Sequence, residues 1–177
     1  MRLSRVFGRA VELMEGDDEA ALVFRNEAGA RSELSHAELY RAVARCASAL
    51  RGCGVGPGDR VAGFLPNLPE TVIAMLAASS IGAVWSSCSP DFGIDGVVER
   101  FGQIEPKVLF CAAAYSYGGK RFDCLEKVRG VVEAIGSIEQ VVVVPYLEPE
   151  PDTQRIRGAV AWSAFTDNDT TEPDFAA

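Results

Sequence analysis

Apolar positions change their period along this chain, and the changes mark its elements. In AALVFR (20–25) and ARSELS (30–35) apolar runs give way to alternation around the turn NEAG, which predicts a β-hairpin. Ser35 then opens a capping box with Glu38 three residues on. Leu39, Val43, Cys46 and Leu50 recur at helical spacing, so a helix runs to about Arg51, where Gly52 and Gly54 end it and GVGPGD makes a turn.

Beyond this point short apolar runs alternate with amphipathic stretches. RVAGFLP reads as a strand, and Asn67 caps a helix that has Pro69 in its first turn and Val72, Ile73, Leu76 and Ala77 on its inner face. AVWSSC is a second strand, followed by a helix over 93–104 with Val97, Val98, Phe101 and Ile104 inward. KVLFCA is a third strand. A helix over 123–135 buries Leu125, Val128, Val132 and Ile135, and QVVVVP is a fourth strand. Strands without alternation, joined by crossover helices, imply an α/β fold: a parallel sheet covered on both faces and preceded by the hairpin. After Pro145, YLEPEPDTQRIRG reads as solvated or disordered, and 159–165 as a short edge strand or turn. The pattern divides into an α/β unit over 1–163 and an acidic, flexible tail over 164–177.

Composition removes several function classes. The chain of 177 residues carries 25 acidic and 17 basic side chains, a net charge of −8, which argues against nucleic acid as a partner. The longest apolar run, 72–84, is broken by two serines and a glycine and is too short to span a bilayer. The N-terminal MRLSRVFGRAVELMEGDD lacks the apolar stretch and cleavage site of a secretory signal. The five cysteines are odd in number, unpaired with histidine and set in apolar segments. They read as buried thiols in a reducing cytoplasm rather than as a disulfide framework or metal site.

Candidate chemistry gathers in two loops. In WSSCSPDFG (85–93), Cys88 would need a base to become a nucleophile, and His36 is the one histidine of the chain, at a helix start far off in sequence. Cys88 therefore reads as packing. Ser86, Ser87 and Ser89 end a parallel strand before a helix, on the edge where open α/β sheets bind ligands. Asp91 competes with that role, since it can cap the following helix itself. The second loop, YSYGGKR (115–121), follows KVLFCA on the same edge. Gly118 and Gly119 allow close backbone approach, Lys120 and Arg121 supply positive charge, and Tyr115 and Tyr117 offer faces for a base. Its spacing is not that of a P-loop. GVGPGDRV precedes a strand and is a turn. Glu148 and Glu150 lie in a Pro-rich segment without the surroundings of a general acid–base pair.

Taken together, the helix, GVGPGDRV, LPNLPETV, SSIGAVW, WSSCSPDFG, GVVERFGQIEPKVLF and YGGK resemble the N-terminal part of the adenylate-forming acyl-CoA synthetases, over about 20–144. Among these the acetoacetyl-CoA synthetases look closest. The resemblance implies a two-step reaction of the complete enzyme: acetoacetate and ATP, with magnesium, give an acyl-adenylate and pyrophosphate, and CoA captures the acyl group. It also implies that Ser89, Pro90 and Asp91, with Tyr117, Gly118, Gly119 and Lys120, help hold the nucleotide end of CoA. In the related acetyl-CoA synthetases the first loop is glycine-rich where this chain has Ser-Pro-Asp, and the second uses arginine where it has Tyr117 and Lys120. No catalytic residue and no metal ligand is expected among these 177 residues. The Ser/Thr/Gly-rich ATP loop, the adenine and ribose motifs and the adenylation lysine of the family are not among them. The chain alone is accordingly expected to be inactive, to bind neither CoA nor ATP tightly, and to self-associate through apolar surface that the rest of the enzyme would cover. A stand-alone CoA- or protein-binding module of the same descent is the alternative reading.

Overall fold

Residues 18–27 and 29–175 are described by a computed structural model. Of the N-terminal stretch MRLSRVFGRAVELMEGDD, residues 1–17 lie outside the described residues. Strands β1 (Ala20–Arg25) and β2 (Arg31–Ser35) pair antiparallel as the alternation requires, with Leu22, Phe24 and Leu34 turned toward the core. Helix α1 (His36–Gly52) begins with the reciprocal cap read from the sequence. The Glu38 amide donates to Ser35 Oγ at 3.2 Å, and the Ser35 amide donates to Glu38 Oε2 at 2.8 Å.

The central sheet takes β3 (Arg60–Phe64), β4 (Val84–Cys88), β5 (Val108–Ala112), β8 (Gln140–Val144) and β9 (Ala159–Ala161) in the order β4-β3-β5-β8-β9, all parallel. Helices α2 (Pro69–Ser80), α3 (Ile94–Ile104) and α4 (Leu125–Ala134) lie on the connections between strands. Every side chain of β5 is buried, which is why this strand shows no alternation. Its neighbours divide by parity. Val108, Phe110 and Ala112 pack with α1 and α2, whereas Leu109 and Cys111 pack with α3 and α4. The sheet thus separates two apolar layers.

Four local expectations need correction. YSYGGKR is not a plain loop: β6 (Ala114–Tyr117) and β7 (Lys120–Asp123) form an antiparallel hairpin. Its turn is Gly118–Gly119, at φ 58° and 72°, a conformation that glycine adopts without a Cβ penalty. Helix α2 starts from Leu68 with no side-chain cap, so Asn67 does not cap it, while Pro69 holds the first helical position as read. Helix α3 starts from Gly93 and also lacks a side-chain cap, so Asp91 is left for another role. Segment 146–158, read as solvated, brings Ile156 into the layer of α3 and α4 and leads into β9. Beyond β9, helix α5 (Trp162–Phe165) sets Trp162 and Phe165 against Phe110, with ring centroids 5.9 and 5.7 Å away. Further on, Asn168 Nδ2 donates to the Arg45 carbonyl at 3.1 Å and Arg51 pairs with Asp174, which lays 166–175 along α1.

Candidate functional site

Strand order locates the site. Counted along the chain, the sheet runs second, first, third, fourth, fifth, so successive crossovers leave β3 in opposite directions. The carboxyl ends of β3 and β5 flank this reversal, and in open α/β sheets that crevice receives ligands because no connection covers it. A cavity of about 370 Å³ lies there. It is lined from three connections: Leu65 to Asn67 after β3, Ser87 to Asp91 at the end of β4, and Tyr115 to Tyr117 of β6, with Thr71 from the first turn of α2.

Of the residues singled out from the sequence, Ser89, Pro90, Asp91 and Tyr117 line this one cavity, whereas Gly118, Gly119 and Lys120 occupy the exposed tip of the β6–β7 hairpin. At the tip the Gly119 amide donates to Glu27 Oε2 of the first hairpin at 3.1 Å. Arg121 is paired with Glu148. Tyr117 is two-thirds exposed, so its ring face is open to a ligand. Tyr115 differs: it is buried and stacked on Phe122, centroids 5.1 Å apart and planes 19° apart, and that face is not available to a base.

The Ser89–Phe92 loop is organised around the carboxylate it carries. Ser89 Oγ donates to Asp91 Oδ2 at 2.7 Å, and the Phe92 amide closes the turn on the Ser89 carbonyl at 3.2 Å. The Tyr115 hydroxyl is the largest influence holding the Asp91 carboxyl below the ordinary carboxylate range. Ser89 is the next, and the positive charge of Lys127 adds to both. Burial, with the Asp91 charge second, pushes the Tyr115 phenol up to about 12, so it stays protonated and can donate. Lys127 of α4 donates to the Pro90 carbonyl at 3.1 Å and reaches the Phe92 carbonyl at 3.5 Å. Arg100 of α3 lies over the Phe92 ring, 4.9 Å from its centroid. The polar part of the lining is therefore hydroxyl, amide and carboxylate groups rather than a cluster of cations. Ser116 Oγ is buried without a hydrogen-bond partner.

Sequence reasoning did not single out Tyr115 as a partner of Asp91, nor Lys127 at all. Lys127 sits on an ordinary helical stretch with nothing local to mark it. Tyr115 carried a weak sign, since alternation of Tyr115, Tyr117 and Phe122 about Gly-Gly is a hairpin pattern. Cys88 is packed in the layer of α3 and α4, 7% exposed, with its thiol pushed up to about 11 by burial, so it is not a thiolate at neutral pH. His36 opens α1 across the sheet from it.

The chain is similar to known proteins in sequence and in fold. It is 51% identical over 126 residues to an acetoacetyl-coenzyme A synthetase of Rhizobium meliloti and 47% identical over 137 residues to an acetoacetyl-CoA synthetase of Danio rerio. These matches take 71% and 77% of the chain. The chain spans about a fifth of the length of these relatives (19% and 20%). The solved acetoacetyl-CoA synthetase of Streptomyces lividans superposes with a TM-score of 0.85 at 39% identity, over 98% of this chain and 26% of that one. An acyl-CoA synthetase structure from Brucella canis shares the fold, with a TM-score of 0.71 at 23% identity, over 93% of this chain and 27% of its own. The pattern that describes AMP-binding enzymes matches residues 11–176, nearly the whole length, and with the parallel sheet and its ligand-edge cavity this shows that the chain belongs to the AMP-binding enzyme family.

Proposed function

We propose that this chain serves an acetoacetate–CoA ligase reaction as the N-terminal α/β part of an acetoacetyl-CoA synthetase. In that reaction a carboxylate oxygen of acetoacetate attacks the α-phosphorus of ATP and pyrophosphate leaves. The CoA thiol then attacks the acyl carbonyl, and AMP leaves as the thioester forms. The observation that carries the reading is the close likeness, in sequence and in superposition, to acetoacetyl-CoA synthetases of widely separated organisms. The cavity at the strand-order reversal adds a place for a ligand. In this reading Ser89, Pro90 and Asp91 with Tyr117 border the nucleotide end of CoA, and Gly118, Gly119 and Lys120 bring backbone and charge from the hairpin tip. ATP with its magnesium would bind through residues other than these, since the chain holds no Ser/Thr/Gly-rich phosphate loop.

Among the described residues no helix is long and apolar enough to cross a membrane. The five cysteines are free thiols, which supports a reducing, cytoplasmic setting. Self-association through the apolar groove of Leu22, Val23, Phe24, Leu68 and Val72 belongs to the same reading, and a monomer at every concentration in sedimentation counts against it.

A chimera tests the function. The chain replaces the corresponding part of the Streptomyces lividans acetoacetyl-CoA synthetase, and acetoacetate-dependent pyrophosphate release is measured. Retained turnover, with KM for CoA raised by Lys120→Ala, is the expected result. A folded chimera with no acetoacetate-dependent release overturns the ligase reading, and an unchanged KM for CoA in Lys120→Ala overturns the place given to Lys120.

A further inference from the structure

The Ser89–Phe92 loop is short, exposed at Asp91 and Phe92, and rich in turn-forming residues, yet it is tied down from outside. Lys127 approaches it from α4, a separate element 37 residues from Pro90 in sequence. Its ammonium reaches the carbonyls on both sides of Asp91, at Pro90 and Phe92, and its charge acts on the Asp91 carboxylate between them. An ammonium has three donors and no acceptor, so two carbonyls and a carboxylate are the partners that suit it. Tyr115 of β6 lines the same cavity as Asp91, and its hydroxyl lowers the pKa of that carboxyl. Its ring is fixed by burial and by the stack on Phe122, so the hydroxyl is held in one place. Ser89 contributes from within the loop.

We infer that Lys127 and Tyr115 are positioning residues: from α4 and β6 they clamp the Ser89–Phe92 loop in the conformation that faces the cavity, so that Asp91 serves as the anchor of the loop and not as a ligand group. The inference rests on the proposed CoA-facing role of this loop. It accounts for a carboxylate at a place where a phosphate-bearing ligand is expected. Asp91 already accepts from Ser89 Oγ while Lys127 holds the carbonyls on either side of it, with Tyr115 on the same cavity wall, and its role is to fix the backbone that borders the ligand. Preorganising a loop before binding lowers the ordering cost that the ligand must otherwise meet.

The test uses the full chain and two conservative variants. Lys127→Met keeps the aliphatic stem and removes the ammonium; Tyr115→Phe keeps the stacked ring and removes the hydroxyl. Arg129→Met, on α4 but paired with Glu126 at the surface, is the control. Amide exchange resolved by residue reads the loop, because the Asp91 and Phe92 amides are protected only by Ser89. Titration with CoA reads the ligand. Both variants should speed exchange of these two amides about tenfold, leave those of β3 and β5 unchanged, and weaken CoA about tenfold. The control should do neither. Unchanged loop exchange in both variants overturns the clamp. A loosened loop with unchanged CoA affinity overturns the positioning role and leaves the site reading intact. Absence of CoA binding by the wild-type chain overturns the site reading and the positioning role with it, while the exchange data still decide the clamp.

Discussion

Gly63 gives the most direct test of how the sheet is packed. It lies in β3, fully within the parallel ladder, and its backbone does not need glycine, since φ is not positive there. What excludes a side chain is Trp85 on the neighbouring strand. A Cβ at position 63 would meet Trp85 Cζ2 at 2.6 Å and Cη2 at 2.7 Å, with Ser87 Cβ at 3.4 Å. Carbon atoms settle at about 3.5–4.0 Å, so the indole must retreat by roughly 1 Å. Its movement is limited on one side by Phe110, ring centroids 6.1 Å apart, which is itself packed against Trp162 and Phe165. Overpacking of this kind costs about 1–3 kcal/mol. Gly63→Ala should lower the unfolding free energy by that amount, read as a lower urea midpoint at constant slope, and each kcal/mol should take about 2–4 °C from Tm in a chain of this length. Two companions isolate the cause. In a Trp85→Leu background the alanine penalty should fall below about 0.5 kcal/mol, because the contact is gone. Gly102→Ala, on the exposed face of α3 with nothing within 4 Å, should instead stabilise by about 0.5–1 kcal/mol. An equal Gly63→Ala penalty with and without Trp85 would refute the reasoning.

Two further predictions follow from groups outside the cavity. Asp59 accepts from Lys107 Nζ and from the Gly56 amide, each at 2.9 Å. The Lys107 hydrogen bond is the first cause that holds its pKa below the ordinary 3.8. A depressed folded pKa gives stability that is complete above the unfolded value and is lost as pH falls through the folded one. Lys107→Met should therefore be less stable than wild type at neutral pH, by at most about 1 kcal/mol for a partly solvated pair, and the gap should close in the acid limb. A gap that widens on acidification would count against the ion pair. Among the cysteines, Cys53 is half-buried whereas Cys46, Cys88, Cys111 and Cys124 are buried. Iodoacetamide at mildly alkaline pH, read by peptide mass mapping, should label Cys53 first; faster labelling of Cys88 would restore a reactive thiol to the candidate list.

What could be read before folding was what neighbours along the chain decide. Ser35 and Glu38 are three residues apart and meet in any helix that starts there. Leu39, Val43, Cys46 and Leu50 share a face by helical period alone, and all four are buried. The unbroken apolar character of VLFCA and QVVVV requires cover on both faces, which is the parallel sheet. WSSCSPDFG could also be placed at the ligand edge, because the end of a parallel strand before a helix always lies there. The tertiary structure decided the rest. No local signal sets the order of β4, β3 and β5, and that order alone makes the crevice at which the loops meet. Asp91 is the clearest case: beside a helix start its local chemistry predicts a cap, yet it accepts from Ser89 within its own loop, and the fold brings Tyr115 and Lys127 near it from distant elements. A short polar side chain answers to whatever groups the fold sets around it, and Tyr115 and Lys127 lie 24 and 36 residues away along the chain.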